Sequence, residues 1–120
     1  MSTRATIKII EGEDTVWVYH HCDGYPDGIG SDMKKYLDTL DYWDAYDIAT
    51  DLIKGKKCGA TNNIWTGKTT PGDDGYELTS GQHGDENYGY IIDCDKKTIT
   101  CYRIGWDEYD WKEDKIVEIP

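Results

Sequence analysis

Apolar residues fall on alternate positions in two stretches near the start of the chain. In residues 4–10, Ala5, Ile7 and Ile9 alternate with Thr6 and Lys8, and residues 15–20 gather Val16, Trp17, Val18 and Tyr19. Alternation sends one set of side chains to each face of a pleated strand, and β-branched and aromatic residues suit that surface. The polar run Glu11-Gly12-Glu13-Asp14 between them reads as a hairpin turn. Residues 23–30 hold three glycines and a proline and therefore read as a loop, the glycines supplying positive φ. Beyond it the period changes. Residues 31–54 contain no glycine or proline, with Tyr36, Leu37 and Leu40 on one helical face and Ala45, Ile48, Ala49, Leu52 and Ile53 on another. Ser31 is a natural N-cap with Asp32 near the positive end of the dipole. The pattern predicts one helix or two, with a break within 39–43 and a stop at Gly55.

Residues 56–74 are polar and weakly periodic, a long connection with a short strand at 63–66. Residues 88–94 and 98–104 flank Asp95-Lys96-Lys97 as a second hairpin, and 76–80 and 115–119 add strands. With Lys96 and Lys97 at the tip, Ile92, Cys94, Ile99 and Cys101 share a face, where thiols act as small hydrophobes. The order is a hairpin, then helices, then several strands. It predicts an α+β domain over residues 1–120, with a mostly antiparallel sheet and one or two helices inserted after an N-terminal hairpin.

Charge narrows the function. The chain has 120 residues with 24 acidic and 13 basic side chains, for a net charge of -11. A disordered acidic tail is excluded, because 10 tyrosines and 5 tryptophans supply surface to offset chain entropy. Direct nucleic-acid binding is disfavoured, since its affinity comes from cations that displace counterions from phosphates. No run of about 18 apolar residues would span a membrane, and none at the N-terminus resembles a signal peptide. The expected setting is therefore the cytoplasm, with Cys22, Cys58, Cys94 and Cys101 reduced.

Candidate chemistry is sparse. Gly67-Lys68-Thr69 ends like a phosphate-binding loop, but Asn62 stands where that pattern needs glycine. No G-x-S-x-G elbow and no C-x-x-C occurs. The one dense ligand cluster is His20-His21-Cys22-Asp23, and on a strand its two histidines point to opposite faces. Cys58, His83 or Cys94 would have to complete a metal site there. With Tyr25, the same residues form an alternative pocket at the strand-to-helix junction. No cofactor and no catalytic residue is expected under the leading reading.

The acidic spacing says more. Asp38, Asp41, Asp44, Asp47 and Asp51 recur every three or four residues without an intervening lysine or arginine. On a helix they would form a winding stripe of carboxylates. A helix selected only for stability would interleave lysines, so the alternative to a plain solvated face is an anionic surface resembling nucleic-acid phosphates. Asp107, Glu108 and Asp110, interleaved with Trp106 and Trp111, form a second acidic cluster suited to arginine-rich surfaces.

The run Tyr19-His20-His21-Cys22-Asp23-Gly24-Tyr25-Pro26-Asp27-Gly28 resembles a motif of small uncharacterised proteins from bacteria and their phages. There a strand ending in tyrosine and histidine enters an Asp-Gly-Tyr-Pro loop and then a helix. The resemblance covers about the first third of the chain and brings no activity or residue roles. It implies a phage or mobile-element origin, and the small acidic proteins of such sources include anti-CRISPR inhibitors, some of which imitate nucleic acid. A plain structural account also exists: Asp23 caps the turn, Gly24 and Gly28 take strained angles, and Tyr25 packs over Pro26.

These readings lead to a non-enzymatic, anti-CRISPR-like inhibitor that binds a basic, nucleic-acid-handling protein or nucleoprotein effector complex through its acidic surface. The alternatives are a small metal-dependent protein or enzyme using the His-His-Cys-Asp loop, and a homo-oligomeric structural accessory protein.

Overall fold

The computed structural model describes residues 3–21, 23–54, 76–81, 86–103 and 116–119. The alternating opening forms strands β1 (Ala5–Glu11) and β2 (Asp14–His20), paired antiparallel from Ala5↔His20 to Glu11↔Asp14. That register leaves Gly12 and Glu13 as a two-residue turn, and Gly12 takes a φ of 58° that glycine adopts without steric cost. Two helices follow, α1 (Ser31–Leu37) and α2 (Ala45–Lys54), so the helical region divides in two at the break the sequence predicts. Strands β3 (Tyr76–Thr79), β4 (Tyr88–Asp93), β5 (Thr98–Arg103) and β6 (Ile116–Val117) complete a sheet of order β3-β2-β1-β4-β5-β6. The fold is α+β, with helices after an N-terminal hairpin. Every pairing is antiparallel except the central one, where β1 runs parallel to β4 from Ala5↔Tyr88 to Ile10↔Asp93.

The second hairpin differs from expectation in register. Asp93 pairs with Thr98, so residues 94–97 form the turn rather than Lys96 and Lys97 alone at its tip. A shift of two residues preserves faces. Cys94 and Cys101 are accordingly buried in the core with Ile92, and Ile99 packs against them.

Helix α2 lies on β1, β2 and β3 because Ala45, Ile48, Ala49 and Leu52 recur at helical spacing and are all buried. Burying each larger aliphatic side chain contributes about 1.5–3 kcal/mol. Met33, Tyr36 and Leu37 bring α1 into the same core. On the other face of the sheet Thr6 and Tyr19 are buried, and the Thr6 hydroxyl donates to the buried Glu86 carboxylate. Among the described residues no helix is long and apolar enough to cross a membrane.

The glycine-rich junction departs from the sequence reading in two ways. Pro26–Gly30 is a wide π-helical turn leading directly into α1, so Ser31 lies inside the helical run and makes no side-chain cap. The left-handed angle falls on Asp23, with φ 54°, and not on Gly24 or Gly28. Those glycines serve close approach instead. A Cβ on Gly28 would lie 2.5 Å from the Asp23 carbonyl oxygen, and one on Gly30 would lie 3.0 Å from the Tyr90 ring. The Tyr90 hydroxyl donates to the Gly24 carbonyl at 2.7 Å, tying the loop to β4.

Candidate functional site

The five aspartates do not form one continuous helical stripe. After Leu37 the backbone tightens: Leu40 N–H reaches the Leu37 carbonyl at 3.1 Å, and the Thr39 hydroxyl donates to Tyr36 O at 2.6 Å. Asp38 therefore sits at the end of α1 and Asp41 in the connection, both exposed. Asp44 precedes α2 and accepts the Asp47 N–H at 2.9 Å, the geometry of an N-cap. Only Asp47 and Asp51 share a helix, one turn apart.

The fold adds carboxylates that the spacing did not point to. Because β1 and β4 are parallel, the turns of both hairpins lie at one end of the sheet, and α2 begins there too. Glu11 accepts the Ala45 N–H at 2.9 Å, Asp95 accepts the Gly12 N–H at 2.7 Å, and Asp93 accepts the Asp95 N–H at 3.0 Å. Two side chains register the resulting field. The Tyr42 hydroxyl is pushed above its ordinary pKa by Glu11, then Asp44, with lesser contributions from burial and Asp47. The Cys94 thiol is pushed up to about 12, first by burial and then by Glu11, Asp44, Asp95 and Asp93. Acids from β1, the α2 start and the β4–β5 turn thus converge, alongside the exposed Lys96 and Lys97 of that turn. The sequence signal was present, since both hairpin turns are flanked by acids. What it lacked was the central parallel pairing.

Beside this end, a groove of about 330 Å³ runs between the close of α1 and the outer side of α2. Tyr36, Leu40, Tyr42, Asp47, Ile48, Thr50 and Asp51 line it. The Tyr36 hydroxyl donates to Asp51 at 2.7 Å and orients that carboxylate.

The described residues of the alternative pocket, His20, His21, Asp23 and Tyr25, do not converge. His20 is fully buried on the helix side of the sheet, its ring 4.4 Å from that of Tyr76. His21 leaves β2 on the opposite face, as strand alternation requires, where its Nδ1 accepts from Arg4 Nε at 3.4 Å beside the Tyr19 hydroxyl at 3.3 Å. Asp23 is exposed. Tyr25 is 47% exposed and leans toward Tyr88 at 6.2 Å between ring centroids, rather than closing over a pocket with His21. Among the described residues no three His, Cys, Asp or Glu side chains are grouped to hold a metal ion. Cys22, Cys58 and His83 lie outside the described residues, as do Trp106, Asp107, Glu108, Asp110 and Trp111 and the strand expected at 63–66. Burial also pushes the Cys101 thiol up, to about 11. Cys94 and Cys101 are thus protonated at neutral pH and serve as packing.

No protein-family model, curated protein or solved structure matches this chain.

Proposed function

We propose that this chain is a non-enzymatic binding protein of the inhibitor type, whose acidic end occupies a basic surface of a nucleic-acid-handling partner. The observation that carries this reading is the convergence of Glu11, Asp44, Asp47, Asp93 and Asp95 from separate chain segments. Part of that charge has a structural use, because Glu11, Asp44 and Asp47 stand at the positive end of α2. The rest does not. Asp38 stands at the carbonyl end of α1, where a negative charge is disfavoured, and Asp41 is exposed in the connection. Like charges a turn apart cost a few tenths of a kcal/mol per pair, a penalty without return unless the field itself is used.

A field of this kind acts mainly on encounter. It draws a basic surface into register and raises the association rate, and salt screens it over about 8 Å at physiological ionic strength. An anti-CRISPR-type inhibitor of a nucleoprotein effector complex is the form of this reading that follows from the resemblance carried by residues 19–28.

The test is capture from bacterial lysate containing CRISPR effector complexes, at low and high salt, by the native chain and by the triple variant Asp41→Asn, Asp44→Asn, Asp47→Asn. Asparagine keeps every side-chain acceptor described above while removing three charges. Recovery of a nucleic-acid-handling complex that both salt and the variant abolish is the expected result. A complex captured by the variant at the native rate, with the native salt slope, overturns the reading.

A further inference from the structure

We propose that the groove between α1 and α2 receives an arginine side chain of the basic partner, and so is the specificity element within the acidic end. This rests on the function proposed above and adds the chemistry of what enters. The groove, at about 330 Å³, lies at the small end of ligand sites, suited to one long side chain rather than to a helix or a large ligand. Its lining is divided. Leu40, Ile48 and the Tyr36 and Tyr42 rings provide apolar walls for a methylene stem, and Asp47 and Asp51 provide carboxylates one turn apart for a cationic head.

Charge selects the occupant. None of the described lining residues is cationic, and Glu11 and Asp44 add to the field at Tyr42. An anionic guest is repelled by the carboxylates, and a neutral one gains only from the apolar walls and nothing from the field. Between the two cationic side chains the walls favour arginine. A planar guanidinium stacks on a tyrosine ring, forks onto carboxylates and sheds water more easily than an ammonium. The receiving surface is partly preorganised: Tyr36 is 2% exposed, and its hydroxyl holds Asp51 in place. Tyr42, 69% exposed, is the outer wall and can be altered with little effect on the core.

The probes are hexa-arginine and hexa-lysine peptides, equal in charge, titrated into the isotopically labelled full chain at low and moderate salt. The readouts are affinity and backbone amide shifts. Hexa-arginine is expected to bind about five-fold more tightly than hexa-lysine, the size of one stacked cation–aromatic contact. Its amide shifts should centre on Asp47, Thr50 and Asp51. Tyr42→Ala should bring the ratio to about one, weakening hexa-arginine more than hexa-lysine and leaving the salt slope of both in place, and Tyr42→Phe should keep the preference. Asp41→Asn, outside the groove, should weaken both peptides alike. Equal affinities in the native chain, or a preference that survives Tyr42→Ala, overturns the groove proposal. If both peptides bind equally with steep salt dependence, the groove proposal fails and the acidic-surface reading stands. If neither binds at low salt, both fail.

Discussion

Asp44 offers the sharpest separation of structural from functional charge, because one atom count distinguishes the two roles. Its carboxylate accepts the Asp47 N–H at 2.9 Å, while Glu11 takes the Ala45 N–H at the same distance. The first turn of α2 has no helical carbonyls to accept these donors, so the two acids replace them. Asp44→Ala removes an N-cap, at a cost of about 1 kcal/mol within a range of roughly 0.5–2. It also relieves repulsion from Glu11 and Asp47, returning a few tenths of a kcal/mol per pair. The cap wins. A net loss near 1 kcal/mol corresponds to a melting temperature lower by about 4 °C for a domain of this size. Asp44→Asn keeps an accepting oxygen and loses only the charge, so its stability should stay within about 0.5 kcal/mol of the native chain. Urea denaturation followed by tryptophan fluorescence measures both variants, at about 0.1 M and 1 M salt. At the higher concentration the screening length falls to about 3 Å and the Asn variant should coincide with the native chain. If the Ala and Asn variants lose the same stability, charge and not hydrogen bonding is what Asp44 supplies, and the capping argument is refuted.

Two further outcomes concern the core and the junction. Because burial raises the folded values of Cys94 and Cys101 to about 12 and about 11, stability from keeping them neutral is complete below the ordinary thiol value near 9. It is lost as pH rises from there through the folded values. Urea midpoints should therefore fall between pH 8 and 10.5, and with Cys22 and Cys58 changed to serine, a thiol reagent at pH 8 should label only unfolded chain. Fast labelling of native protein would show that the β4–β5 face is open to water. At the junction, Gly30→Ala should cost about 1–3 kcal/mol by crowding the Tyr90 ring, and Gly28→Ala more, since its new methyl meets backbone rather than a side chain. Native-like urea midpoints for both would mean that the loop opens freely.

What could be read from the sequence was local. Alternation in residues 4–10 and 15–20 gave both strands of the first hairpin and the opposed directions of His20 and His21. Helical periodicity left one helix or two open, with a break within 39–43, and the structure has two. The junction differs from the sequence reading because glycine is required there by crowding and not by positive φ: Asp23, whose short polar side chain tolerates the left-handed region, takes that angle instead. Ser31 was misplaced as a cap because Pro26–Gly30 already winds into the helix, and no propensity marks so wide a turn. The acidic end was half legible. Asp44 and Asp47 stood out by spacing, whereas Glu11 joins them by its bond to the start of α2, and Asp93 and Asp95 through a parallel pairing between strands far apart in sequence, neither of which a local pattern encodes.

That same pairing divides folding into unequal steps. Each flanking hairpin closes a turn of a few residues, and such hairpins form in microseconds. Joining them sets Ala5 beside Tyr88, bringing together residues 83 positions apart, and the large sequence separation of this central ladder is the kind that slows folding. The entropic cost of that closure grows only with the logarithm of its length, about 0.6 kcal/mol for each doubling. Loop segments between the hairpins can therefore change length at small entropic cost, provided that α1 and α2 keep the side chains that fill the core. The two hairpins thus form a frame whose register is independent of how the exposed positions strung across it are filled.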